Sequence, residues 1–285
     1  MLRRPGPPLA LALAGVLLLA ATGVLAKAVP WTRAGDQRTL KGFVSLPGPR
    51  LSPLLDHVAH LADPGPYALA GLVLALIALA RGRWRSALVI PPLFVATGLT
   101  TEVLKHVLAS PRYDEWLGAR QIAEASWPSG HSTAAMTVAL CAVLAVPPRL
   151  RPTAAALGGA FTVAVAFAIL ALGWHFPSDV LGGFLVAAVW VLLALSALAA
   201  VQRRWPTRLR AEAPPRPSDA LPAMLVALLA AGLAVGLAVT RPREIVGYAS
   251  DHTTFVVGAL LIAAAAIGLA ALLAVGVRGS RSAAR

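Results

Sequence analysis

Eight long apolar segments dominate this chain and leave it few ways to fold. They run over residues 8–26, 66–80, 86–108, 131–146, 153–174, 178–201, 221–240 and 253–277. Each is near the roughly 20 residues that a transmembrane helix needs, the second being the shortest. Pro, Gly and Arg punctuate the breaks between them. The composition is 58% hydrophobic and 13% charged, whereas a soluble domain is about 45–50% apolar and about 25% charged. The pattern predicts an all-α, polytopic membrane helix bundle. Its expected organisation is a six-helix core over 1–201, a basic cytoplasmic linker over 202–220, and two further transmembrane helices with a short cytoplasmic tail over 221–285.

A formal charge of +13 would suit nucleic acid binding, but its placement argues against it. With the N-terminus inside, the inner ends collect Arg3, Arg4, Arg81, Arg83, Arg85, Arg149, Arg151, the five arginines of 203–216, and Arg278, Arg281 and Arg285. That is fifteen basic residues against two acids, Glu212 and Asp219, while the outer half holds ten of each sign. A basic excess in short loops marks the cytoplasmic side. The chain is therefore expected in the cell membrane, multi-pass, with both termini cytoplasmic and no nucleic acid partner. Val24-Leu25-Ala26 offers a small-residue cleavage site, but the apolar run before it is long for a signal peptide, so the first segment is read as retained. Cys141 stands alone, which excludes an internal disulfide and any multi-cysteine metal site.

In this topology Lys105, Arg112, the string Pro128-Ser129-Gly130-His131 and the pair His175 and Asp179 all fall on the outer face, although the charge count did not use them. Groups with acid–base chemistry are costly beside a bilayer, which makes them candidates for function. Lys105 and Arg112 bring positive charge, and a guanidinium can hold two phosphate oxygens at once. Ser129 and Gly130 open the fourth segment, where a helix N-terminus favours an anion and Gly130 allows close backbone approach. His175 can attack phosphorus through a neutral ring nitrogen while Asp179 accepts the other ring N–H, with a turn at Pro177 bringing the two together. His131 can protonate the leaving oxygen and then activate water. Together these residues point to an enzyme that acts on a phosphate ester at a membrane surface.

Three elements in order, Lys105-x6-Arg112, Pro128-Ser129-Gly130-His131 and His175-x3-Asp179, with a helical pair before the third, resemble the type-2 phosphatidic acid phosphatase and vanadium haloperoxidase superfamily over about 100–185. The resemblance implies a membrane lipid phosphatase with a six-helix core that uses no metal and no cofactor. It implies a phosphohistidine on His175, His131 as acid and base, Asp179 as the partner of His175, and phosphate held by Lys105, Arg112, Ser129 and Gly130. The substrates it implies are lipid phosphates or diphosphates: a polyprenyl carrier, a phosphorylated glycolipid precursor or a phospholipid. The chain departs from the family pattern twice. Tyr113 follows Arg112 where a proline is expected, and Ala168-Ile169 stands where the third element has Ser-Arg. Arg241 and Arg243, in the last outer loop, are the candidate replacements for that arginine. Two alternatives follow: a lipid phosphotransferase, in which the phosphohistidine passes to an acceptor other than water, and a non-catalytic lipid-phosphate binder, which the missing arginine favours.

Other polar residues receive plainer readings. Residues 27–65 form an outer loop with a short interfacial helix near 51–62, where His57 and His60 lack a third metal ligand. Lys105 can pair with Glu102 one turn earlier. Asp114, Glu115, Arg120 and Glu124 read as solvated loop charges, and Trp127 and Trp174 as interface anchors. Ser250 or Asp251 reads as an N-cap, with His252 in the first helical turn.

Overall fold

The computed structural model describes residues 4–46, 48, 51–112, 115–118, 121–206, 217–240 and 242–277. The described residues form α1 (Gly6–Ala28), α2 (Pro30–Val44), α3 (Ser52–His60), α4 (Pro64–Ala80), α5 (Trp84–Val107), α6 (Gly130–Ala145), α7 (Arg151–Ala171), α8 (Pro177–Arg204), α9 (Leu221–Thr240), α10 (Pro242–Asp251) and α11 (Thr253–Gly276). A helix lies at each of the eight apolar segments. Among the described residues, five stretches are long and apolar enough to cross a membrane: α1, α5, α8, α11 and Pro148–Ala171, which contains α7. α3 and α4 qualify only as a pair, bent by 50° at their junction. α6 has 16 residues, about 24 Å of helix, short of a hydrocarbon core about 30 Å thick. It can be short because it is central: Ala135, Met136, Ala139, Cys141, Val143 and Ala145 are fully buried, and α4, α5, α7, α8 and α11 surround it. Protein, rather than lipid, is its solvent.

The stretch between α1 and α4 is more ordered than its composition suggests. The expected short helix is α3. The longer α2, which the sequence reading treated as loop, docks through Thr39, Leu40, Gly42 and Phe43. Phe43 meets Phe167 of α7 and Phe255 of α11 edge-on at 5.1 and 4.8 Å between ring centroids. α11 approaches closely because a Cβ on Gly258 would lie 2.4 Å from Thr39, and one on Gly42 would lie 2.3 Å from Phe255; small residues let helix backbones come together where lipid gives no hydrophobic drive. Ile262, Ala266 and Ala270 of α11 enter the same core as α6, α7 and α8.

Arginines tie one set of helix ends together. Arg83 donates to the Val146 carbonyl at 2.9 Å, Arg85 to Gln202 at 2.5 Å, and Arg151 to the Val277 carbonyl at 3.0 Å. Lys105, His131, His175 and Asp179 occupy the opposite helix ends.

Candidate active site

Local rules set the position of each imidazole. α7 stops in a Schellman arrangement: Gly173, at φ +72°, donates to the Leu170 carbonyl and Trp174 to the Ile169 carbonyl at 3.0 and 2.9 Å. α8 restarts at Pro177, whose missing N–H costs nothing at the first helical position. His175 is thus held in a five-residue link between two helices. Asp179 sits in the first turn of α8 and its Oδ2 accepts the Phe176 N–H at 3.0 Å, half of a capping box. The same oxygen lies 3.5 Å from His175 Nδ1, long for a hydrogen bond, and Nδ1 is buried with no hydrogen-bond partner. Such contacts in an unliganded site commonly tighten when substrate binds.

The second element packs against α8. Ser129 caps α6 by accepting the Ser132 N–H at 3.3 Å, and its own N–H donates to the Asp179 carbonyl at 2.9 Å. Gly182 and Gly183 make this possible. A Cβ on Gly183 would lie 2.7 Å from the Ser129 carbonyl oxygen, and one on Gly182 would lie 2.8 Å from Trp127 Nε1. Trp127 is therefore buried between α1 and α8, 2% exposed, and is not the interface anchor expected of it. His131, the second residue of α6, faces His175 with 6.2 Å between ring centroids. Lys105 donates to Glu102 at 2.8 Å, and its Nζ comes within 3.3 Å of where a Cβ on Gly130 would sit. The absent side chain leaves the ammonium beside the N-terminus of α6, two sources of positive potential in one place. Next to them a pocket of about 360 Å³ is lined by residues that include Asp63, Tyr67, Thr101, Lys105 and His131.

Residues 86–204 match the PAP2 superfamily model. Over these residues the chain is similar to that superfamily. Among solved structures, the first transmembrane PAP2-type phosphatidylglycerolphosphate phosphatase from Bacillus subtilis is similar in fold. It is 22% identical, with a TM-score of 0.54 over 70% of this chain and 98% of that one. No curated protein matches the sequence significantly.

Within this region Arg112 is buried and engaged by protein groups. It is 6% exposed, and its two terminal nitrogens donate to Ser126 at 2.9 Å, Ser178 at 3.2 Å, Asp36 at 3.3 Å and the Asp179 carboxylate. Its planar group lies 4.0 Å from the centre of the Phe176 ring. A buried guanidinium requires counter-charge and full hydrogen bonding, and here it receives both from protein. Its two terminal nitrogens are therefore engaged by protein groups, the Asp179 carboxylate among them. Asp36 on α2 completes this network. It accepts the Ser178 N–H at 2.9 Å and the Ser178 hydroxyl at 2.5 Å, capping α8 from another helix. Burial, together with the nearby negative charge of Asp179, raises the Asp36 carboxyl to about 6, partly offset by Ser178 and Arg112.

Ala168 and Ile169 are fully buried in α7. Arg243 is exposed on α10, and no described hydrogen bond or ion pair joins it to His131, His175 or Arg112; Arg241 lies outside the described residues, as do Tyr113, Asp114 and Arg120. His60 pairs with Asp63 at 2.9 Å and with Asp56 at 3.4 Å, and among the described residues no group of three or more His, Cys, Asp and Glu could hold a metal ion. His252 precedes α11 and stacks on Tyr248 at 4.3 Å, while Ser250 belongs to α10 and donates back to Gly247, so neither Ser250 nor Asp251 caps α11.

Sequence reasoning missed Asp36, Ser126 and Ser178 around Arg112, and Asp63, whose Oδ1 lies 3.1 Å from His131 Nε2. Ser178 carried a signal, because Pro-Ser-Asp opens α8 as a helix start. Asp36 and Asp63 are lone acids in a stretch with no motif.

Proposed function

We propose that the protein is a membrane phosphatase that hydrolyses a lipid-linked phosphate or diphosphate without a metal, through a phosphohistidine on His175. The observation that carries this reading is the pair of facing imidazoles, 6.2 Å apart, beside the Lys105 and α6 cradle. A phosphoryl group between them can be attacked from one side and released on the other. In the first step His175 Nε2 bonds to phosphorus, the bond to the leaving oxygen breaks, and His131 gives that oxygen a proton. In the second, water attacks phosphorus, the phosphorus–nitrogen bond breaks, and His131 takes the water proton. Asp179 keeps the His175 proton on Nδ1, and Arg112 holds Asp179 in place. Lys105, the Gly130 and His131 N–H groups and the α6 dipole oppose charge on the phosphoryl oxygens. The adjacent pocket suits a headgroup, and the apolar helix surfaces suit its chains. Following the basic inner ends, the site faces away from the cytoplasm in the cell membrane, where polyprenyl carriers, phosphorylated glycolipid precursors and phospholipids are substrates of the right chemistry.

The test is phosphate release by purified protein with EDTA present, over a panel of lipid mono- and diphosphates, beside His175→Ala. Release that resists EDTA and vanishes in the variant supports the reading; EDTA-sensitive release, or release that persists in the variant, overturns it. A non-catalytic lipid-phosphate binder has one observation in its favour, the buried Ala168-Ile169 at the position of the missing Ser-Arg. Lipid binding that survives His175→Ala, with no turnover by the parent, would establish that reading. Loss of turnover on replacing Arg241 and Arg243 together would identify them as the missing cation.

A further inference from the structure

The acid–base histidine has a carboxylate of its own. We propose that Asp63 is a positioning residue for His131, holding its Nε2–H and so reserving Nδ1 for proton exchange with substrate and water. The inference rests on the reading of His131 as the acid and base of a phosphohistidine cycle. The site then contains two histidine–carboxylate pairs face to face, His175 with Asp179 and His131 with Asp63.

The geometry is specific. Asp63 stands at the N-cap position of α4, where an aspartate ordinarily accepts a helix N–H, yet its side chain makes no capping bond. It is turned instead across the site, with Oδ1 3.1 Å from His131 Nε2. Its other oxygen meets His60 Nδ1 at 2.9 Å, so both carboxylate oxygens are held by imidazoles. The 50° bend between α3 and α4 places this corner over the start of α6. Trp174 walls the cluster, 5.6 Å from His60 and 5.5 Å from His131 between ring centroids. No hydrogen bond to Nδ1 of His131 is present among the described residues.

A carboxylate at one ring nitrogen fixes the neutral tautomer and stabilises the cation. In the first step the imidazolium loses its Nδ1 proton to the leaving oxygen and Nε2–H stays on Asp63. In the second, Nδ1 recovers a proton from the attacking water. Asp63 takes no part in the proton transfer. The other groups facing His131 are His60 from α3, Glu102 and Lys105 from α5, and His175 from the α7–α8 link.

The test compares the parent with Asp63→Asn, Asp63→Glu and His131→Ala in detergent, by kcat against pH and by imidazole ¹⁵N NMR. The neutral His131 of the parent is expected to carry its proton on Nε2. In Asp63→Asn its titration midpoint and the alkaline limb of kcat should both move to lower pH, by about one unit, with Asp63→Glu recovering part of the shift. Combining Asp63→Asn with His131→Ala should cost no more than His131→Ala alone. A proton on Nδ1 in the parent, or unmoved midpoints and pH limb in Asp63→Asn, overturns the inference. A parent that neither releases phosphate nor forms phosphohistidine overturns the underlying catalytic reading instead, while the NMR tautomer still decides the pairing.

Discussion

Gly183→Ala tests how the second and third motif elements are held together. The added Cβ would lie 2.7 Å from the Ser129 carbonyl oxygen, 2.8 Å from the Thr133 nitrogen and 2.9 Å from the Ser132 Cβ, where ordinary contact begins at 3.4 Å. All three atoms belong to the first turn of α6 or its cap, and none can be moved by a rotamer change. The turn must therefore retreat from α8 by about 0.5–1 Å to regain van der Waals distance. Overpacking of this kind destabilises by about 1–3 kcal/mol. The larger effect should be on catalysis, because the turn carries Ser129, Gly130 and His131, and a displacement of about 1 Å can cost on the order of 100-fold in rate. The expected result is a folded protein whose kcat for lipid phosphate falls by about 10- to 100-fold. Phosphate release and thermal unfolding in detergent measure the two effects separately, with Gly268→Ala on α11, where a Cβ meets nothing within 4 Å, as the control. A folded Gly183→Ala protein with parental kcat would falsify the claim that contact with α8 sets the position of His131.

Asp36 links stability to pH. Its carboxyl is at about 6 against 3.8 ordinarily, so the folded protein binds this proton more tightly than the unfolded chain does. The contribution of Asp36 is therefore most favourable below about pH 4 and is lost as pH rises through about 6, a swing of about 3 kcal/mol. Asp36→Asn should flatten that part of the thermal stability profile in detergent. Arg112→Ala leaves two buried carboxylates facing each other without their cation and should destabilise by about 3–5 kcal/mol, visible as a lowered unfolding temperature even without substrate. Lys105→Ala removes the ammonium beside Gly130 and should lower kcat/KM by about 100- to 1,000-fold with little change in unfolding temperature. Arg243→Ala, on an exposed side chain, should leave turnover within about twofold of the parent.

Much of the helix framework was legible in the chain. Each apolar run appears as a helix because hydrocarbon solvation depends on the content of a segment, which is local. The site was legible to the extent that its residues sit at helix ends: Gly173 stops α7, Pro177 starts α8, and Ser129 caps α6, each by a rule that operates within a few residues. Those rules place His131, His175, Asp179 and Lys105 at one end of the bundle without reference to any tertiary contact.

What the sequence could not express is which charges meet. Nothing in the sequence around Arg112 names its carboxylate partners, and only packing brings it to Asp36, 76 residues earlier, and to Asp179. Asp63 carries no motif signal in the sequence and turns out to face His131. α2 has too weak an apolar stripe to announce itself and becomes a helix that docks on α7, α8 and α11. The physical reason is common to all three. Helix formation and burial follow from neighbours in the chain, whereas a buried ion's partner is chosen by whichever opposite charge the folded chain brings within a few ångströms, and that distance is a property of the tertiary structure alone.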